Sequence, residues 1–553
     1  MDETPLSTKT ATSDPPGHDI FCTPENSSFV HQTPYEPLNT AERDIRLLKV
    51  FPDSGLGIVK CDLLPSVKLA DVENKYLALS YCAGSAKNTR YISVNGTCCN
   101  AFANLHHALM EARHYWEAHN GQQEFLLWVD QICINQYDLD ERSHQVSFMR
   151  DIYEKAKETL VCLSTPETSE GGMKQLIKLR EALEREDWDN SLSKFNLLLI
   201  NNIEIKDEVY KSWASFIELR MSPWWNRAWV FQEFMASEQT TFLHGRSSMP
   251  YSSFMSLFRT FNGGWIVPGR DSNGLHYEVK LSKDERESTF GAWSLLVAKA
   301  NLSRTTDLKI LLTLTQDSQA TDPRDKLYSI LGLVHPGYAI VPDYSTNTDL
   351  HTLLEETTKR IILFDDSLEV FSYQNRQSLL SSNTGGLLPS WVLNWTNSTS
   401  LRQIHGYEGH LEDVSIAKLD YDPHAIMQTS PEADFLRILH PQDLKAQISV
   451  ISLWVVFLDN GFGRIGSGQH HEGSRKYVIK VGTGEQVKSD CELWILRGSR
   501  EPFLLRKYYH GYRLVSPVIC SNLDQNLECV PGAINNDGEI DMSKLKETRI
   551  TIF

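Results

Sequence analysis

The chain lacks most of the spacings that announce a well-known chemistry. It has no C-x-x-C pair and no zinc-finger spacing. Its ten cysteines, at 22, 61, 82, 98, 99, 133, 162, 491, 520 and 529, are scattered over 553 residues, which argues against a zinc ribbon or a disulfide framework. No apolar core of a signal peptide lies near the start, so secretion is not expected. Free thiols fit a reducing compartment, and a cytoplasmic location is the expectation. The sequons at Asn95 and Asn397 are then expected to stay unmodified. The longest apolar run, Ile448–Leu458, contains Ser449 and Ser452; it is too short to span a bilayer and is read as a core strand. A basic excess is also missing. With 54 Lys and Arg against 71 Asp and Glu, the formal charge is −17, so a general nucleic-acid binder is not expected. There is no P-loop, no H-E-x-x-H and no G-x-S-x-G. Gly461, Gly463 and Gly466 spell G-x-G-x-x-G, but S-G-Q-H-H-E-G-S follows where a dinucleotide fingerprint needs a helix, so a loop between strands is expected there. His470-His471 has no third ligand suitably spaced. His106 and His107, adjacent on a helix, point about 100° apart, and no metal site is expected.

What is present is an alternation of short apolar runs and amphipathic stretches. RDIRLLKVF and GIVKCDLL read as short strands, YLALSYC (76–82) as a central strand, and EFLLWVD (124–130) and TLVCLS (159–164) as two more. Asn100 is a candidate cap for a helix with apolar positions Leu105, Ala108, Leu109, Ala112 and Trp116. Asp138 followed by Glu141 resembles a capping box opening a helix to about 158. Helical patterns cover 170–186 and 205–220, and Ser222-Pro223 reads as the start of the helix carrying WWNRAWVFQEFMA. TTFLHG closes the series near Gly245. Alternating β and α elements predict a mostly parallel α/β sheet with helices on both faces.

The expected organisation is a disordered tail over 1–35, an α/β domain over 36–248, a helical middle region over 249–400 and a β-rich C-terminal region over 401–553. Chain length favours more than one core.

Residues 126–163 are the most informative. An apolar run ends at Asp130, a polar loop carries Cys133, Asn135 and Gln136, and a helix follows. In α/β sheets, ligands sit at the carboxyl ends of strands. The same stretch resembles the fungal heterokaryon-incompatibility (HET) domain family. LWVDQICINQYDLDERSHQV (127–146) resembles its longest motif, ALSYCAG (78–84) its A-x-S-Y-x-W-G, and RAWVFQEF (227–234) its R-x-W-x-x-Q-E segment. DPRDKLYSILGL, PDYS, LPSWVLNW and LWILRGSREPFLLR resemble segments that follow the domain. Ala83 stands where the family pattern has tryptophan.

The resemblance implies a role in fungal nonself recognition and cell death. It also implies a distant likeness to TIR domains, with a TIR/flavodoxin-like sheet, and to their cleavage of NAD. No cofactor is required on that reading, NAD being the substrate. Other incompatibility proteins, or a second copy of the chain, are the implied partners. TIR enzymes place a catalytic glutamate four residues after a tryptophan, as Trp229 and Glu233 stand here.

Breaking the ribose–nicotinamide bond passes through an oxocarbenium-like state, which calls for a carboxylate beside the ribose. Glu233 is the catalytic candidate, and Trp229 is the candidate ring platform, on the same helix face. Ser80, Tyr81, Asp130, Asn135, Gln136 and Arg142 are the ligand-binding candidates. Each has a plainer reading beside it. Glu233 would pair with Arg220 or Arg227, Trp229 would be core, Asp130 would cap its loop, and Arg142 would be solvated. Cys133 reads as a small buried residue, Glu141 as a helix-start residue, and Asp322, Arg324 and Asp325 as a structural charge network.

Overall fold

The computed structural model describes residues 24–187 except 56 and 169–171, then 201–262, 268–270, 276–278, 292–301 except 293, 307–371 except 346, 347 and 369, and 391–396, together with strands between 446 and 550. The chain divides into two compact units, Met1–Leu296 and Val297–Phe553.

The first unit opens with a helical turn, α1 (Ser27–Val30), then β1 (Asp44–Ile45), β2 (Leu48–Val50), β3 (Lys60–Leu63), β4 (Val67–Lys68) and β5 (Leu77–Ser80). A hairpin of β6 (Thr89–Val94) and β7 (Thr97–Phe102) leads to α2 (Ala103–Asn120) and β8 (Phe125–Trp128). Three short helices, α3 (Asp130–Cys133), α4 (Leu139–Ser147) and α5 (Met149–Glu154), lead to β9 (Glu158–Cys162). Then come α6 (Gly172–Arg185), α7 (Ile203–Arg220), α8 (Ala228–Ala236), β10 (Thr240–His244), β11 (Ser247–Pro250) and α9 (Tyr251–Asn262), with a small ribbon of β12 (Pro268–Arg270) and β13 (His276–Glu278).

Nine of these strands form one sheet in the order β11-β10-β9-β5-β8-β2-β3-β6-β7. The expected α/β architecture is present. Its parallel heart is the contiguous set β10-β9-β5-β8, and antiparallel pairs extend it at both sides, with one further parallel pair, β3-β6. All four residues of β5 are buried, as a strand covered on both faces requires. From β5 the chain crosses to β8 on one side, then returns past β5 to β9 on the other. Right-handed crossovers in opposite directions place their helices on opposite faces. The carboxyl ends of β5 and β8 therefore lie where the winding reverses.

Several local expectations are revised. Within the expected tail over 1–35, Pro24–Asn26 forms a 3-10 turn and Ser27–Val30 a helical turn. Phe29 is fully buried, and the Asn26 side chain bonds both the N–H and the C=O of Asn100. Asn100 therefore lies inside edge strand β7 instead of capping α2. Asn95 and Gly96, both with positive φ, make the two-residue turn between β6 and β7, a backbone that Asn-Gly favours. The Asn95 side chain accepts from the Leu63 N–H at 2.8 Å. The helix expected from 138 to about 158 breaks at Phe148 into α4 and α5. The helix expected from Ser222 is a 3-10 turn, Pro223–Asn226, separated from α8 by the extended Arg227.

The second unit contains α10 (Leu308–Leu314), α11 (Asp325–Tyr328) and α12 (Leu350–Asp365). Its further strands are β14 (Ala446–Val450), β15 (Leu453–Phe457), β16 (Phe462–Ser467), β17 (Lys476–Val481), β18 (Cys491–Leu496), β19 (Pro502–Tyr508), β20 (Gly511–Asn522) and β21 (Glu547–Ile550). They make an antiparallel sheet in the order β15-β16-β17-β20-β19-β18-β14-β21. The 448–458 run is two strands, and Gly463 and Gly466 lie within β16, where a loop was expected. The Arg324 guanidinium pairs with Asp322 at 2.8 Å and reaches the carbonyls of Asp343, Ser345 and Thr348 at 3.2–3.3 Å. It is the structural charge network read from the sequence.

Among the described residues, no helix is long and apolar enough to cross a membrane.

Candidate functional site

Strand β5 ends at Ser80, which is buried. Tyr81 and Cys82 follow, and the chain turns at Gly84 with φ +76°. A Cβ there would come within 2.7 Å of the Asn104 side chain, which itself donates to the Cys82 carbonyl at 2.9 Å. Both the positive φ and the close approach call for glycine. Ala83 sits in this turn, partly buried against the core.

Glu233, on α8, is 2% exposed. Neither of the arginines proposed from the sequence forms an ion pair with it among the described residues. Arg220 lies against Phe216 and Phe258. Glu233 instead accepts a hydrogen bond from the Ser80 hydroxyl. The direction follows from the next link, since Trp224 Nε1, which can only donate, gives its hydrogen to Ser80 Oγ at 2.8 Å. A relay therefore runs from Trp224 through Ser80 to Glu233. Tyr153, on α5, brings a second hydroxyl nearby; it donates to the Leu79 carbonyl at 3.3 Å and favours the charged form of the Glu233 carboxylate. Burial raises the Tyr153 phenol well above its ordinary range, so it remains a donor.

Burial pushes the Glu233 carboxyl up to about 7, against the opposing pull of the Arg227 guanidinium; the neighbouring Asp130 carboxylate adds to the rise. Desolvation disfavours the charged form and the Ser80 and Tyr153 hydroxyls only partly replace water. Near neutrality this carboxyl is close to its midpoint.

Around this core lies a more open rim. Asp130 begins α3, and its Oδ1 accepts from the Gln131 N–H at 2.7 Å. Burial raises its carboxyl above the ordinary value, with the Arg227 and Arg142 guanidiniums pulling the other way. Arg227 is half-buried and donates to the Tyr81 carbonyl. Its guanidinium lies 6.0 Å from the centre of the Tyr81 ring. Trp229 is partly buried against the core.

Of the residues singled out from sequence, Ser80, Tyr81, Asp130 and Glu233 come together, with Trp229 on the Glu233 helix. Arg142 is buried and electrostatically close to Asp130. Asn135 and Gln136 are occupied within the loop. The Asn135 side chain accepts from the Tyr137 N–H at 3.3 Å, and Gln136 Nε2 donates to the Asp130 carbonyl at 2.9 Å. Tyr153, Trp224 and Arg227 were not picked as site residues. Arg227 opens the RAWVFQEF segment, whereas Tyr153 in the sequence is one more apolar position on a helix.

Cys133 is buried, and desolvation pushes its thiol up to about 12, the state of an inert core thiol. Glu141 does more than start a helix. Asp138 caps α4 through the N–H groups of Asp140 and Glu141 at 3.1 and 3.0 Å. The Glu141 carboxylate turns inward to Arg46, at 2.6 and 3.0 Å, and accepts from the Asn135 N–H at 2.7 Å. Among the described residues no three His, Cys, Asp or Glu side chains converge as a metal-ion cage.

The model of a family described as "Heterokaryon incompatibility protein (HET)" matches residues 76–233, from the residue before β5 to Glu233 itself. Residues 76–233 belong to the HET family. Every residue of the site just described lies inside this HET domain. The chain is 27% identical over 407 residues to "Heterokaryon incompatibility protein 6, OR allele" of Neurospora crassa. That similarity covers 65% of this chain and 58% of the relative, so the chain spans well under two thirds of the relative it matches. No solved structure matches the chain.

Proposed function

We propose that this chain is an incompatibility protein acting in nonself recognition and cell death. Its HET domain, TIR-like in this reading, would cleave the bond between ribose and nicotinamide in NAD. The observation that carries the proposal is the convergence of Glu233, Ser80, Tyr81, Asp130 and Arg227 at the carboxyl ends of β5 and β8, where open α/β sheets hold their ligands. The chemistry is a hydrolysis. The C1′–N bond breaks with its electron pair going to the nicotinamide nitrogen, which leaves neutral. Water adds at C1′ and its proton passes to solvent. Ionised Glu233 would steady the oxocarbenium-like charge, and Ser80 would hold that carboxylate in place. The reading places NAD as substrate and requires no further cofactor. The expected partners are other incompatibility proteins or a second copy, with cytoplasm as the working compartment.

The test is NAD consumption by the expressed chain beside a growth-arrest assay. Glu233→Gln keeps the shape of the side chain, so it should leave the fold intact while abolishing both NAD loss and toxicity. A Gln variant that remains toxic and consumes NAD at the native rate would sink the catalytic role.

A second reading has its own support. Glu233 is almost sealed and bonded to the buried Ser80, as expected of a polar brace in a non-enzymatic module that works by association. A chain that self-associates or binds an incompatibility partner, yet leaves NAD intact over a wide concentration range, would favour it.

A further inference from the structure

The rim of the site holds two charged groups with unused bonding capacity. Arg227 gives one hydrogen bond, to the Tyr81 carbonyl, and its guanidinium has no further hydrogen-bond partner among the described residues. Asp130 accepts through Oδ1 from the Gln131 N–H, and its Oδ2 has no partner among the described residues. None of these atoms is among the sealed polar atoms that lack a partner, and both residues are only partly buried, so these atoms are not fully sealed from solvent. The two side chains do not form an ion pair with each other, although each charge influences the other's protonation. The Glu233 hydrogen bond runs elsewhere, to the buried Ser80 hydroxyl.

A guanidinium offers several N–H donors in a planar fork suited to phosphate, and a carboxylate offers only acceptors. A ligand that presents anionic oxygens beside a hydroxyl satisfies both. We propose that Arg227 and Asp130 form a subsite for a phosphorylated ribose, Arg227 holding the phosphate oxygens and Asp130 accepting from a ribose hydroxyl. This deepens the NAD reading and rests on it for the identity of the full substrate. The pairing itself needs only a ribose phosphate. The extended backbone of Arg227, between the 3-10 turn and α8, is what directs this guanidinium to the end of β5.

The experiment uses the full chain with ribose 5-phosphate, ADP-ribose, ribose and inorganic phosphate as probes, followed by calorimetry and thermal shift. ADP-ribose and ribose 5-phosphate should bind, with inorganic phosphate at least about tenfold weaker and ribose weaker still. Asp130→Asn should cut affinity for the two ribose phosphates about tenfold and leave inorganic phosphate unchanged. Arg227→Gln should remove the advantage of phosphate over ribose. Asp130→Asn keeps the bond from the Gln131 N–H, so it reports on the subsite even where Arg227→Gln fails to fold. Equal binding of phosphate and ribose 5-phosphate, or affinities indifferent to both substitutions, would overturn the subsite. NAD consumption with a KM unchanged in both variants would overturn it while leaving the hydrolase reading standing. Ribose-phosphate binding that depends on both residues, with no NAD loss, would do the reverse.

Discussion

Two glutamates in the same domain, Glu141 and the buried Glu233, are held in opposite ways. Glu141 meets the Arg46 guanidinium through both oxygens, at 2.6 and 3.0 Å, and takes a backbone N–H as well. Arg46 is 2% exposed, also reaches the Cys133 carbonyl at 3.3 Å, and lies 5.1 Å from the centre of the Tyr35 ring. This pair ties the N-terminal segment to the loop after β8. Glu233 has no cation bonded to it among the described residues, only the unbonded pull of the Arg227 charge. The Ser80 hydroxyl holds it, and burial leaves it near 7. A matched bidentate pair fixes a structure, whereas a carboxyl held by neutral donors can change charge at working pH. Perturbed groups of the second kind gather at functional sites, and the contrast supports reading Glu233, and not Glu141, as the acid of the site.

The sharpest way to break this comparison is to substitute each glutamate. Glu233→Gln is expected to lower NAD turnover at least about a hundredfold, the scale lost when a charge-stabilising group is removed, with little change in melting temperature at about pH 5, where the native carboxyl is also uncharged. Arg46→Ala should do the opposite in kind. It strands a mostly buried carboxylate and should cost about 3–5 kcal/mol in urea unfolding. The paired Arg46→Met, Glu141→Leu variant should recover most of that loss, because the penalty comes from the unmatched partner. If Arg46→Ala unfolds like the native chain, Glu141 is not the structural member of the pair.

A weaker effect appears with pH. Glu233 has a folded value of about 7, above its ordinary 4.5. Between those values the folded chain holds more protons than the unfolded one, so stability falls as pH rises through this window and levels off above about 7. The full span is roughly 3 kcal/mol at about 1.4 kcal/mol per unit. Glu233→Gln should flatten this slope, making the variant more stable than the native chain at pH 8. Turnover, which needs the ionised form, should rise through the same midpoint. Parallel stability curves for the two proteins would remove the case for a raised carboxyl.

How far the sequence made this visible depends on the range of each interaction. Strands β5, β8 and β9 were legible as apolar runs, and Asp130 as the residue closing one of them. Asn95-Gly96 carries a hairpin signal of its own, an Asn-Gly pair between two short runs. The relay from Trp224 through Ser80 to Glu233 joins residues 144 and 153 positions apart, and no local pattern encodes such a meeting. Tyr153 was hidden differently, since a tyrosine on an apolar helix face looks like core until its hydroxyl finds a partner. Asp138 and Glu141 were correctly grouped by spacing, but the reciprocal half of the capping box was replaced by a partner from position 46.

That replacement yields the smallest expected effect. Asp138 is exposed and its Oδ1 takes the N–H groups of Asp140 and Glu141 at 3.1 and 3.0 Å, so it contributes only a helix cap. Asp138→Ala should cost about 1 kcal/mol and leave NAD turnover unchanged. Because α4 carries Glu141, the loss should double as a probe of that pair. If capping and the Arg46–Glu141 bridge act independently, their costs should add within about 0.5 kcal/mol. A larger coupling would mean that the cap helps to aim Glu141 at Arg46, and that the first turn of α4, the loop after β8 and the N-terminal segment are stabilised as one unit.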